Sequence, residues 1–156
     1  MLRRALFALL ALLPLSVAAQ DGPQPRLPTD PLTIVTRDGT QHRFTVEMAL
    51  TPDQQMVGLM FRTEVKPDEG MLFDWGAPRE STMWMRNTLV SLDMVFIAAD
   101  GRIHRIAERT VPLSLATIAS QGPVRATLEL AAGTAERLNL RPGDRVLHPI
   151  FGTAPR

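Results

Sequence analysis

Apolar and polar positions alternate with a period of two over much of this chain, the pattern of half-buried β-strands. "LTIVTRDGTQHRFTVEMAL" (32–50) is two β-prone runs around Asp38-Gly39, a pair that supplies the left-handed backbone a tight hairpin turn needs. Phe44, Val46 and Met48 alternate with Thr45 and Glu47, so this run is expected to bury one face. The period then changes. In "TPDQQMVGLM" (51–60), Thr51 is a good N-cap, Pro52 suits the first helical position and Gln54 completes a capping box. Met56, Leu59 and Met60 share one helical face. Gly58 is expected either to let the helix approach a sheet closely or to end it.

Further along, Gly70 to Phe73 and "STMWM" (81–85) read as two short strands. "LDMVFIAADGRIHRIAER" (92–109) reads as a hairpin turning at Ala99-Asp100-Gly101. Both faces of 92–98 are largely apolar, which predicts a central strand covered on both sides. "VRATLEL" (124–130) alternates cleanly, with Val124, Ala126, Leu128 and Leu130 on one face and Arg125, Thr127 and Glu129 on the other. Residues 111–122 read as a long loop. A short helix from Thr134, a Pro142-Gly143-Asp144 turn and a last strand, "RVLHPI", follow. Seven or eight short strands with two short helices predict a mainly β fold, a compact sandwich or open barrel.

The N-terminus changes the picture of where this domain works. Arg3 and Arg4 precede an apolar run from Ala5 to Leu15, and Val17-Ala18-Ala19 closes it with small residues. That is the layout of a secretory signal peptide cut after Ala19, and the run is too short to anchor in a membrane. A periplasmic or secreted protein is expected, with no membrane insertion after cleavage. Residues 20–31, rich in proline and polar groups, read as a flexible leader, and 32–152 as one β-rich domain. The chain has no cysteine, which excludes disulfides, thiol catalysis and thiolate metal sites. Loss of Arg3 and Arg4 with the signal leaves fifteen cations against sixteen acids. This balance gives no electrostatic reason to expect nucleic acid as a partner.

"GLMFR" (58–62), "EGMLF" (69–73), "WMRNT" (84–88), "LDMVFI" (92–97) and "LELAAGTAERL" (128–138) occur in an order and spacing that resemble domain-of-unknown-function family 192. The resemblance covers roughly residues 40 to 150. It departs in Arg86, where the family often has lysine, and Ser91, where it often has proline. It implies a compact β-rich fold with short helices, often exported, and no established activity.

Chemistry-bearing residues cluster in these stretches. A carboxylate in a doubly covered strand needs hydrogen-bond donors. Asp93 is therefore expected to be held by Arg86, Asn87, Thr88 and the N–H groups of the 87–91 turn. Arg62, Trp84, Arg86, Asn87, Asp93 and Glu129 form the candidate ligand site, suited to an anionic or amide-bearing small molecule. An envelope protein is the other candidate partner. The leading reading is a non-catalytic binding or accessory module of the cell envelope. A small hydrolase using Asp93 or Glu129 as general acid or base is the alternative, although no nucleophile pattern accompanies them. Soft-metal binding of Cu(I) through Met83 and Met85 is a third. No resident metal or cofactor is expected. His42, His104 and His148 lack ligand spacing and read as surface or edge histidines.

Overall fold

The computed structural model describes residues 21–154, so the signal-like segment 1–19 lies outside the described residues. Strands β1 (Thr29–Val35) and β2 (Gln41–Ala49) form the expected antiparallel hairpin. Its turn is tied by Thr36 Oγ1 and Thr40 N, which both donate to Asp38 Oδ1. Helix α1 (Pro52–Val57) has the capping box the sequence predicts. Gly58 ends it at φ 51°, and a Cβ there would come within 3.0 Å of the Phe73 ring. Both expected reasons for this glycine therefore operate. Because the helix stops here, Met56 is 68% exposed while Leu59 and Met60 turn inward; the expected common face is not formed.

The two short strands expected at 70–73 and 81–85 are one long strand, β3 (Glu69–Met83). Register shifts between Asp74 and Arg79, and between Glu80 and Thr82, bend it without ending it. Then come β4 (Leu92–Ile97), β5 (Ile103–Ala107), β6 (Ile118–Ala131), α2 (Thr134–Arg137) and β7 (Arg145–Leu147). A 3-10 turn covers Pro149–Phe151. β6 begins at Ile118, so the loop expected over 111–122 is shorter and paired chain takes its second half.

The seven strands form one sheet, ordered β5-β4-β6-β3-β2-β1-β7, antiparallel except where β2 meets β3. The sheet curls until its edges return to each other: Val146 N donates to Gly101 O at 2.7 Å and Ile103 N to Asp144 O at 2.8 Å. This curled half-barrel is the open-barrel form of the expected fold. Leu32, Ile34, Val46, Leu72, Leu128 and Val146 fill its concave core. A second core on the opposite face gathers Met71, Phe73, Met85, Leu92, Met94 and Phe96. Every residue of β4 is buried, as its two apolar faces predict. The second core covers the other face of β6, so Thr127 and Glu129 on that face are buried beneath it.

Two further expectations change. Within the leader, Gln24 Nε2 donates to Gln54 O and Gly58 O at the end of α1, and Leu27 N donates to Glu47 Oε2 at 2.8 Å. That part of the leader is docked rather than flexible. His148 is 1% exposed, not a surface histidine. Its Nδ1 accepts from Ile150 N and its Nε2 lies 3.4 Å from Asp30. Burial holds its pKa below the ordinary 6.5, with Asp30 opposing.

Candidate functional site

Asp93 is fully buried, and its partners are not those the sequence suggests. Oδ1 accepts from Arg109 N and Oδ2 from Ala135 N, each at 2.8 Å. The carboxylate thus clamps the chain leaving β5 to the first turn of α2, far along the sequence from the 87–91 turn. Two backbone N–H donors answer the desolvation that burial imposes. The 87–91 turn is held otherwise. Asn87 takes φ 53°, a left-handed conformation that asparagine tolerates, and its carbonyl accepts from Phe61 N. Met85 N donates to Ser114 O, and Leu113 N to Thr88 O.

Glu129 stands on the other face of the sheet from Asp93. On β6 it sits between Met71 of β3 and Met94 of β4, both fully buried, whereas Asp93 pairs with Leu130. Opposite residues on paired strands share a face and successive ones alternate, so the two carboxyl groups point apart. Glu129 is 4% exposed and makes no hydrogen bond or ion pair among the described residues. Burial alone pushes its pKa from the ordinary 4.5 up to about 8. A carboxyl group so placed is predominantly protonated at neutral pH.

That group faces a hollow of about 530 Å³ between α1 and the bent part of β3. Met56, Met60, Phe73, Trp75, Met83 and Trp84 supply its apolar walls, with Ser81 and Thr88 as polar points. Trp75 stacks on Phe73 and donates from Nε1 to Thr127 Oγ1 at 3.2 Å. Arg79 and Glu80 stand exposed at the rim. The Arg79 guanidinium lies 4.6 Å from the Trp75 ring centre, and that of Arg86 lies 5.4 Å from Trp84.

Of the six candidate site residues, only Trp84 and Glu129 line this hollow. Arg62 is engaged beside it: Nη2 pairs with Glu47 Oε2 at 3.1 Å, and Glu47 also takes Arg26 at 3.4 Å. Arg86 is exposed over Trp84, Asn87 serves the turn, and Asp93 is saturated on the opposite face. The anion-suited cluster of arginines is therefore not assembled. Met85 is in the second core and Met83 at the hollow, so the pair does not present two thioethers together there. Among the described residues no three His, Cys, Asp or Glu side chains gather as a metal site. Trp75, Met56, Met60 and Arg79 do not stand out as a group in the sequence. The interruption of a strand-like run by Gly76 and Pro78 was the available signal, since such residues mark bulges.

Fold and hollow together define a small curled half-barrel with an acid-floored cavity. The chain belongs to the DUF192 family, described as "Uncharacterized ACR", whose profile matches residues 33–148. It is similar to a protein of Sinorhizobium meliloti 1021 provisionally called a transcription regulator, at 46% identity and a TM-score of 0.79. That match covers 81% of this chain and 98% of the other. It is also similar to a protein of unknown function from Novosphingobium aromaticivorans DSM 12444, at 40% identity and a TM-score of 0.76, covering 84% and 94% of the two chains. No curated protein matches the chain.

Proposed function

We propose that this protein is an exported, non-catalytic binding module of the cell envelope that takes a small amphipathic molecule into the hollow over Glu129. One observation carries the reading: a nearly buried carboxyl group without a protein partner lines an open cavity. Buried polar groups are ordinarily hydrogen-bonded, and leaving one unmet costs stability. A concave, largely apolar site with few polar groups is the form that small-molecule sites take. Export rests on the signal-like residues 1–19, and the near-neutral charge gives no pull toward nucleic acid.

Saturation-transfer NMR with a panel of small amphipathic fragments tests this reading. Fragments should contact the wild type and lose contact with Trp84→Ala or Glu129→Gln. A panel in which no contact depends on either residue overturns it. Export is tested by the mature N-terminus, expected at Gln20 in a periplasmic fraction.

A hydrolytic reading has one supporting observation: a carboxyl group that keeps its proton to about pH 8 is in the state a general acid requires. It lacks a second group. Asp93 is on the far face with both oxygens occupied, and Glu80 is exposed at the rim.

A further inference from the structure

The geometry points to an organic ammonium ion, carried on an apolar or aromatic body, as the ligand of this hollow, with Glu129 as its counter-ion. The inference deepens the binding reading and rests on it. It follows from what the cavity holds and from what it lacks.

Among the described residues that line the hollow, Arg79, Glu80 and Glu129 are ionisable, and of these Glu129 alone is buried. Met71 and Met94 flank it on the neighbouring strands, and α1 contributes Gln55, Met56 and Val57 to the walls. Arg79 and Glu80 are exposed at the rim, where their charges offset each other. Two strands away on the same face, Glu47 is already met by Arg62 and Arg26. Among the described residues no buried arginine or lysine lines the hollow to receive an anion. A neutral amide would gain one ordinary hydrogen bond from the protonated acid. An ammonium ion would gain an ion pair with a carboxylate largely removed from water, where charges attract more strongly than in bulk solvent. The walls suit the same ligand. Trp75 and Trp84, each with a guanidinium of this chain already near its ring, offer the ligand's apolar body aromatic wall to pack against. Met56, Met60 and Met83 are flexible thioethers that adapt to an irregular apolar body.

Binding must then release a proton. Glu129 enters as a neutral acid, passes its proton to solvent buffer and remains as the carboxylate paired with the ammonium. With its pKa at about 8, roughly 0.9 proton should leave per ligand at about pH 7 and roughly 0.1 at about pH 9. An alkylammonium stays charged at both values, as lysine does.

The test uses three probes of one skeleton: 3-phenylpropylammonium, 3-phenylpropanamide and 3-phenylpropanoate. Calorimetry on the full mature chain, in two buffers of different ionisation enthalpy, reads affinity and proton release together. The ammonium should bind at least roughly tenfold tighter than the amide, and Glu129→Gln should remove that advantage while leaving the amide within about threefold. Tighter binding of the amide or the carboxylate, or ammonium binding without proton release, overturns the ammonium assignment and leaves the binding module standing. Absence of binding by all three probes also overturns it, and the fragment panel then judges the binding reading by itself. The wild-type proton count needs no variant, so a folding defect in Glu129→Gln would not blunt the test.

Discussion

Replacing Glu129 with glutamine should make the protein more stable than wild type at alkaline pH, by an amount that the burial of this side chain sets. Unfolded, Glu129 titrates near 4.5; folded, burial moves it to about 8. The folded pKa is the higher one, so the proton is held more tightly in the native state. Wild-type stability from this group is therefore full below about pH 4.5 and is lost as pH rises through about 8. Within that window each pH unit removes about 1.4 kcal/mol, which amounts to about 3 kcal/mol at pH 7 and about 5 kcal/mol beyond pH 8. Glutamine has the same shape and does not titrate. Its own buried amide adds an offset that is the same at every pH, and all other titrating groups cancel in the comparison. Urea unfolding of both proteins at intervals from about pH 4 to about pH 9 measures the difference directly, with equal m-values confirming comparable transitions. The variant should gain on wild type by several kcal/mol across the range. A difference that stays constant within about 1 kcal/mol would show that Glu129 titrates normally, and the desolvation argument would fail.

Other outcomes follow from single contacts. Asp93→Asn keeps one acceptor oxygen where two backbone N–H groups converge, so unfolding free energy should fall by about 2–4 kcal/mol with no change in the pH profile assigned to Glu129. Gly58→Ala puts a Cβ 3.0 Å from the Phe73 ring at positive φ, and thermal unfolding should register a loss of about 1–3 kcal/mol. His148 is held neutral by burial, its folded pKa below the ordinary 6.5. The unfolded chain therefore takes the proton first, and stability is lost as pH falls below about 6.5, at no more than about 1.4 kcal/mol per pH unit. His148→Gln should flatten that acid limb in the same urea series; an unchanged limb would assign the loss to other groups.

Local signals were legible because local chemistry decides them. Asp38-Gly39 made its turn, Thr51 and Gln54 made their capping box, and the two apolar faces of 92–97 marked a central strand. The resemblance at 58–138 carried the family, and the profile match agrees with it. What stayed hidden depends on which strands lie side by side. Alternation in 124–130 separates two faces but cannot say that both are covered, so the depth of Glu129's burial was not legible. The donors nearest Asp93 in sequence lie in the 87–91 turn, whereas its actual donors lie at residues 109 and 135, brought together by the β5-β4-β6 order. In sequence β3 reads as two strands, because a bulge and a loop look alike when Gly76 and Pro78 interrupt the period. The pairing of Arg62 with Glu47 was not legible because Glu47 lies on β2, fifteen residues away in sequence.

The contrast between the two buried acids bears on function more than either does alone. Both lie on central strands and both are almost wholly removed from water. Asp93 has its two oxygens answered by backbone donors and keeps two distant segments in register. Glu129 has methionines on either side and an open hollow in front. A purely structural demand at that position would be met better by leucine or methionine, which would join the second core without a titrating group and without the loss of about 3 kcal/mol at neutral pH. Stability arguments therefore explain Asp93 and leave Glu129 unexplained. A costly group that faces a cavity is what a site looks like when its partner arrives from outside. The same burial that weakens the fold makes the acid responsive: a cation in the hollow would restore through an ion pair what desolvation withholds. On that account, adding the ammonium probe should raise the unfolding temperature of wild type near pH 8 and leave Glu129→Gln nearly unmoved.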